Sequence, residues 1–152
     1  MEWTALLATL FGAAIATGSS VLVETRKNRH DLAVDWSKTK REVYVAFITA
    51  LTQVRSELLA LSKRSGMTEA ERDEVARQVF ARCYELRYQL ELCAPGEVVQ
   101  RALTYFRTVR SLRNLVAAGK GVSDAEWESN TRQAKRMLDA LHEAMRADLR
   151  SG

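Results

Sequence analysis

The N-terminal region holds the feature that most constrains this chain, a long run of residues without formal charge. From Trp3 to Val23 there are 21 such residues, WTALLATLFGAAIATGSSVLV. As a helix this run would be about 31 Å long, which matches the roughly 30 Å hydrocarbon core of a bilayer. Trp3 stands where an interfacial aromatic residue would lie. The run therefore predicts a transmembrane anchor over residues 1–23.

The charges on either side of the run predict its orientation. Only Glu2 and the terminal amine precede it, whereas Arg26, Lys27 and Arg29 follow it. Positively charged flanks stay on the cytoplasmic side of a membrane. We therefore expect a single-pass protein of the plasma membrane, with its N-terminus outside and its C-terminal domain in the cytoplasm.

Two other interpretations of the run stay open. The first is a cleavable signal peptide, because residues 14–16 (AIA) fit a small-x-small cleavage site. No basic n-region precedes the run, which disfavours that interpretation. The second is a helix buried in a protein core.

Small residues recur at every fourth position of the predicted anchor. They are Ala8, Gly12, Ala16 and Ser20, and together they form a stripe along one helix face. Such a stripe lets two helix backbones approach closely. It predicts that any homo-oligomer is held through this face.

Residues 24–42 predict a basic juxtamembrane stalk. Arg26, Lys27 and Arg29 lie where they would meet anionic lipid headgroups. The polar stretch of residues 37–42 (SKTKRE) interrupts the apolar pattern, which includes Leu32 and Trp36. We therefore expect the packed part of the chain to begin near Val43.

The rest of the chain shows helical periodicity and few breaks. It contains the chain's single proline, Pro95, placed to begin a helix. Apolar residues spaced three or four apart predict helices over 31–64 and after each of three breaks, at Gly66, at Pro95 and at Gly119. Two capping boxes are predicted to open helices, one at residues 68–71 (TEAE) and one at residues 123–126 (SDAE). Many apolar residues are predicted to face inward. On the first two bundle helices they are Val43, Phe47, Ala50, Val54, Leu58, Leu61, Val75, Val79, Phe80, Cys83, Leu86 and Leu90. On the last two they are Val98, Val99, Ala102, Phe106, Val109, Leu112, Val116, Trp127, Ala134, Met137, Leu138, Leu141, Met145 and Leu149.

This pattern predicts an all-α fold. It consists of an N-terminal transmembrane helix followed by an up-down-up-down four-helix bundle over residues 43–152. The short connections favour antiparallel neighbours. The fourth helix then returns toward the membrane, so the turn at Pro95 and the C-terminus are expected at the membrane-proximal end.

The sequence predicts no catalytic site and no metal-binding site. Cys83 and Cys93 are separated by ten residues of one predicted helix, about 15 Å, which is too far for a disulfide. Cys83 is expected in the core and Cys93 near a helix end, partly exposed. His142 is the one histidine in the predicted bundle, and one histidine cannot build a di-iron carboxylate site. We expect no catalytic residue, no metal and no cofactor.

Arginines are concentrated on the third helix of the predicted bundle. Arg107, Arg110 and Arg113 cover about a third of its circumference, and Tyr105 lies near them. This face is a candidate for binding anionic lipid or an acidic partner protein. The alternative is that the arginine stems simply cover apolar edges. Nucleic acid is an improbable partner, because the net charge of +4 is spread along the chain.

Three stretches carry a resemblance to a protein group. They are MEWTALLATLFGAAIATGSS, EVYVAFITAL and YELRYQLELCAPGEVVQRA. Their order resembles that of a loose group of small actinobacterial membrane proteins: an acidic start, a tryptophan, a small-residue anchor, a basic junction and a helical domain. The resemblance implies an architecture and no particular activity.

These features predict a non-enzymatic, membrane-tethered helical module. It would hold a protein partner, or copies of itself, at the inner face of the plasma membrane. Two alternatives are an oligomerising effector of toxin or defence type that acts on the membrane, and a membrane-bound regulatory sensor. Only hydroxyl side chains interrupt the anchor's apolar residues, which favours a tether over a pore.

Overall fold

A computed structural model describes residues 36–151 of the chain. All elements in this part are helices: α1 (Trp36–Ser62), α2 (Glu69–Cys93), α3 (Gly96–Ala117) and α4 (Ala125–Ser151). The all-helical prediction is confirmed for these residues. The predicted anchor, its stripe of Ala8, Gly12, Ala16 and Ser20, and the cluster of Arg26, Lys27 and Arg29 lie outside the described residues.

The chain divides into two units, residues 1–38 and residues 39–152. The second unit, called here the helical domain, has one core to which all four helices contribute. The core includes the predicted Phe47, Val54, Leu58, Phe80, Cys83, Leu90, Val98, Phe106, Val109, Trp127, Leu141 and Met145. Helical periodicity thus identified most of the residues that exclude water.

Helix α1 supplies the largest apolar stretch in the described residues. By length and composition it could cross a membrane, with a mean hydropathy of 1.2 over its most apolar stretch. A helix that fills a protein core passes the same test, and α1 places seven side chains in the core of the helical domain. They are Tyr44, Phe47, Ala50, Leu51, Val54, Leu58 and Leu61.

Two aromatic residues lie where the periodicity did not place them. Trp36, predicted on the apolar face, is 50% exposed. Tyr105, predicted beside the surface arginines, is fully buried. Tyr105 follows the buried Ala102 by three residues and precedes the buried Val109 by four, so it lies on the inner face of α3.

Polar and aromatic side chains join each pair of helices that follow one another, and also join α1 to α4. The contacts are Glu57–Arg82 between α1 and α2, Phe80–Phe106 between α2 and α3, Asn130–Thr108 between α3 and α4, and Lys40–Asp148 between α1 and α4. The last contact brings the first turns of α1 close to the last turn of α4.

Two of the predicted helix boundaries, at Thr68 and at Gly119, follow the local rules as expected. Thr68 caps α2 in a capping box with Glu71, as predicted. Gly119 ends α3 as predicted, with φ +78° and a Schellman pattern in which the Lys120 N–H donates to the Leu115 carbonyl.

The other two predicted helix starts are corrected. Helix α4 begins at Ala125, one residue after the predicted start, and Glu126 pairs with Lys120 rather than with Ser123. The Asp124 carboxylate instead accepts from the Gly121 N–H at 2.7 Å, which closes the turn before α4. Pro95 is the residue just before α3 rather than its first residue. Both corrections are shifts of one residue.

Alanine substitutions at Gly119 and Gly96 test the backbone conformation assigned to the two ends of α3. Alanine at Gly119 must adopt a left-handed conformation, so Gly119→Ala should lower the free energy of unfolding by about 1–2 kcal/mol. Gly96 lies in the first turn of α3 with open space at its Cβ position, and Gly96→Ala should leave stability unchanged or raise it by up to about 1 kcal/mol. Urea unfolding followed by circular dichroism measures both. Equal stability of the two variants would contradict the assigned end of α3.

Candidate anion-binding groove

Three aromatic rings hold α2 against α3. Phe80 and Tyr84 are four residues apart on α2, and both contact Phe106 of α3. The three rings meet edge to face, with centroids 5.1–5.6 Å apart. Such aromatic pairs contribute about 0.5–1.5 kcal/mol each beyond their buried area. The cluster therefore fixes the spacing between the two helices.

Two arginines lie over these rings. The Cζ atom of Arg87 is 5.6 Å from the centroid of Phe106 and 4.7 Å from that of Tyr88. The Cζ atom of Arg113 is 5.5 Å from the centroid of Phe80. A guanidinium stacked on an aromatic face keeps its N–H edges available for a carboxylate or phosphate. The aromatic cluster thus also positions cations along the α2–α3 boundary.

A groove of about 510 Å³ runs along this boundary. Its apolar side chains are Val99, Leu103 and Phe106, and its charged side chains are Arg87, Glu91, Arg107 and Arg110. Glu91 is already paired with Arg87, with 2.8 Å between Oε1 and Nε. Three guanidiniums against one paired carboxylate leave the groove positively charged. It therefore suits an anionic group that also carries apolar surface.

The structure brings together two of the three predicted α3 arginines. Arg107 and Arg110 are exposed and line the groove. Arg113 is half-buried over Phe80, and its Nη2 and Nε donate to the Asn114 side-chain oxygen at 2.7 and 3.1 Å. The face predicted from α3 alone is thus divided, and Arg113 is not among the residues that line the groove.

Arg87 is the groove residue that the sequence did not reveal. It lies on α2, and no spacing rule within one helix connects it to Arg107 or Arg110. One signal was present: Arg87 and Glu91 are four residues apart, so they can pair along the helix surface. Recognising the groove required the packing of α2 against α3.

A second polar cluster joins the two ends of the helical domain's sequence. Lys40 Nζ lies 3.0 Å from both carboxylate oxygens of Asp148, and the Tyr44 hydroxyl donates to Asp148 at 2.7 Å. The Lys40 and Asp148 side chains are only 15% and 12% exposed. Truncating one partner of such a pair is costly because the other charge stays buried. This cluster fixes α1 relative to α4.

The two cysteines offer little nucleophilic chemistry. Both cysteines are free, Cys83 is buried and Cys93 half-buried, as expected from the sequence. Burial raises the pKa of the Cys83 thiol to about 11, and burial also raises the pKa of Cys93. Because the thiolate is the reactive form, both thiols are poorly suited to attack a substrate near neutral pH. Within residues 36–151, no group of three or more His, Cys, Asp or Glu side chains is placed to hold a metal ion.

Comparison of the chain with protein-family models, with curated proteins and with solved structures found no match.

The raised thiol pKa values predict how stability depends on pH. The unfolded chain releases the Cys83 proton near pH 9, whereas the folded protein keeps it to about pH 11. The stabilising contribution is therefore complete below about pH 9 and is lost as the pH rises toward about 11. Urea unfolding at successive pH values should show a falling free energy of unfolding across this window. In the Cys83→Ala, Cys93→Ala variant the decline should be shallower; an unchanged slope would contradict the assignment.

Proposed function

We propose that this protein is a non-enzymatic, membrane-tethered interaction module whose helical domain binds an acidic segment of a partner protein. The observation that carries the proposal is the groove between α2 and α3, where Arg87, Arg107 and Arg110 surround an apolar floor. A segment with carboxylates on its edges and an apolar side chain at its centre would satisfy both parts of the groove. Guanidinium and carboxylate groups also pair with two parallel hydrogen bonds.

Residues 3–23 serve as the membrane tether in this proposal, with Arg26, Lys27 and Arg29 at the cytoplasmic surface. The N-terminus is then outside the plasma membrane and the helical domain is in the cytoplasm. The burial of seven α1 side chains supports this assignment, because α1 then has its own role in the core. The stripe of Ala8, Gly12, Ala16 and Ser20 would let two tethers associate.

We further propose that the four helices form an up-down-up-down bundle. Support comes from the contacts between successive helices and from Lys40–Asp148, which joins the start of α1 to the end of α4. In this topology the turn at Pro95 lies at the membrane-proximal end, and the turns at Gly66 and Gly119 lie at the distal end.

The apolar floor of the groove favours a protein segment over lipid headgroups. A headgroup supplies an anionic group but no apolar side chain to cover Val99, Leu103 and Phe106, whereas a protein segment supplies both.

Reversing the two exposed groove charges tests the proposal. The full chain in phosphatidylcholine nanodiscs is titrated against a fluorescent amphipathic peptide with glutamates flanking a leucine-rich face. Arg107→Glu with Arg110→Glu should weaken binding about tenfold or more, equivalent to at least about 1.4 kcal/mol. Higher salt should weaken binding to the unaltered chain, because the contact is ionic.

The matched control is Arg132→Glu with Arg136→Glu, which makes the same change in net charge on exposed positions of α4. This control should bind the peptide nearly as well as the unaltered chain. Equal loss in both double variants would mean that only net charge matters and would contradict a groove. Binding to phosphatidylserine nanodiscs that depends on Arg107 and Arg110, without peptide binding, would assign the groove to lipid instead.

A further inference from the structure

A recess of about 280 Å³ lies between α1 and α4 and shares no residue with the groove between α2 and α3. Its floor consists of Leu112 of α3 and Trp127 of α4, which are only 3% and 6% exposed. Because both side chains belong to the core, the recess extends inward from the surface of the helical domain. Its volume is that of about nine water molecules. It therefore suits a small molecule rather than a segment of a protein.

Polar side chains form the wall of the recess. Thr52, Arg55 and Ser56 come from α1, and Thr131 comes from α4. The Ser56 hydroxyl already donates to the Thr52 carbonyl at 3.3 Å. The Thr131 hydroxyl has no hydrogen-bond partner within residues 36–151, so it can serve a ligand.

Two further donors in the recess lack an acceptor. In the part of the chain that the structure describes, the Arg55 guanidinium forms no ion pair and the Trp127 indole N–H forms no hydrogen bond. Glu57, two residues along α1 from Arg55, pairs with Arg82 instead. A buried tryptophan N–H usually finds a partner. The recess therefore offers one cation and unpaired donors to a ligand that accepts hydrogen bonds.

The charge of the recess points to a monoanion. Arg55 is the only charged residue among those that line it. A carboxylate matches that single charge and can accept two parallel hydrogen bonds from a guanidinium. A phosphate monoester carries close to two negative charges at neutral pH, so part of its charge would stay uncompensated above a buried floor. The apolar side chains Leu59 and Leu112 and the Trp127 ring can cover the rest of a small ligand.

We propose that this recess binds a small monocarboxylate with a compact apolar body. The carboxylate pairs with Arg55, and the Trp127 and Thr131 donors supply its further hydrogen bonds. The body of the ligand packs on Leu59 and Leu112. The site is independent of the membrane tether and of the acidic segment proposed for the groove, because all of its residues belong to the helical domain and none lines the groove.

Fluorine NMR that detects the ligand tests the proposal, with 4-fluorobenzoate as the probe. The full chain is held in phosphatidylcholine nanodiscs, and broadening of the probe's signal that excess benzoate reverses measures binding. Arg55→Gln should weaken binding about tenfold or more, because the carboxylate loses its charged partner. Arg136→Gln removes the same charge from an exposed position of α4 outside the recess and should leave binding unchanged. The neutral 4-fluorobenzyl alcohol should bind about tenfold more weakly than 4-fluorobenzoate.

Occlusion of the recess gives a second measurement that keeps Arg55 in place. Ser56 is exposed at the wall, so Ser56→Phe should fill the recess without disturbing the core and should abolish binding. Ser129→Phe, at an exposed position of α4 that does not line the recess, should bind as well as the unaltered chain. No binding by the unaltered chain, equal affinity in Arg55→Gln, or binding retained by Ser56→Phe would overturn the proposal. Loss of binding in Arg107→Glu with Arg110→Glu, but not in Arg55→Gln, would assign the anion to the groove and would overturn it as well.

Discussion

The burial of α1 in the helical domain is the constraint on which the rest of the structure depends. Phe47, Leu51, Val54 and Leu58 are completely excluded from solvent. Each such side chain contributes about 1.5–3 kcal/mol when it leaves water, a sum that exceeds the net stability of many small domains. The same apolar residues give α1 the composition of a membrane span. Since α1 cannot fill the core and cross a bilayer at once, the tether that we propose is the uncharged run that precedes it.

With α1 in the core, two sets of contacts define the surfaces that can act. Asp148, held by Lys40 and Tyr44, fixes the start of α1 against the end of α4. The aromatic contacts around Phe106 fix α2 against α3, and they hold Arg87 over a ring beside the groove. The proposed binding site therefore depends on apolar packing for its shape and on arginines for its selectivity.

Much of this fold could be predicted from the sequence, because it is built from local rules. Periodicity located the four helices and most of their buried residues, and Thr68 and Gly119 followed the standard preferences of helix ends. What depends on neighbouring helices could not be predicted. Tyr105, noted only as a neighbour of the α3 arginines, is buried, and Arg87 joins Arg107 and Arg110 only because α2 packs against α3. Spacing along one helix carries no information about the helix beside it, so the sequence revealed only the arginines that α3 contributes to the groove.

The central claim is that α1 belongs to a self-contained helical domain and not to the membrane. It is tested most directly by expressing residues 25–152 without the preceding run and measuring their solubility, circular dichroism and mass in detergent-free buffer. The account predicts a soluble, strongly helical protein that unfolds cooperatively, because all four helices and their core are retained. Aggregation, or partition of this fragment into lipid vesicles with loss of the cooperative transition, would contradict it and would return α1 to the role of a membrane span.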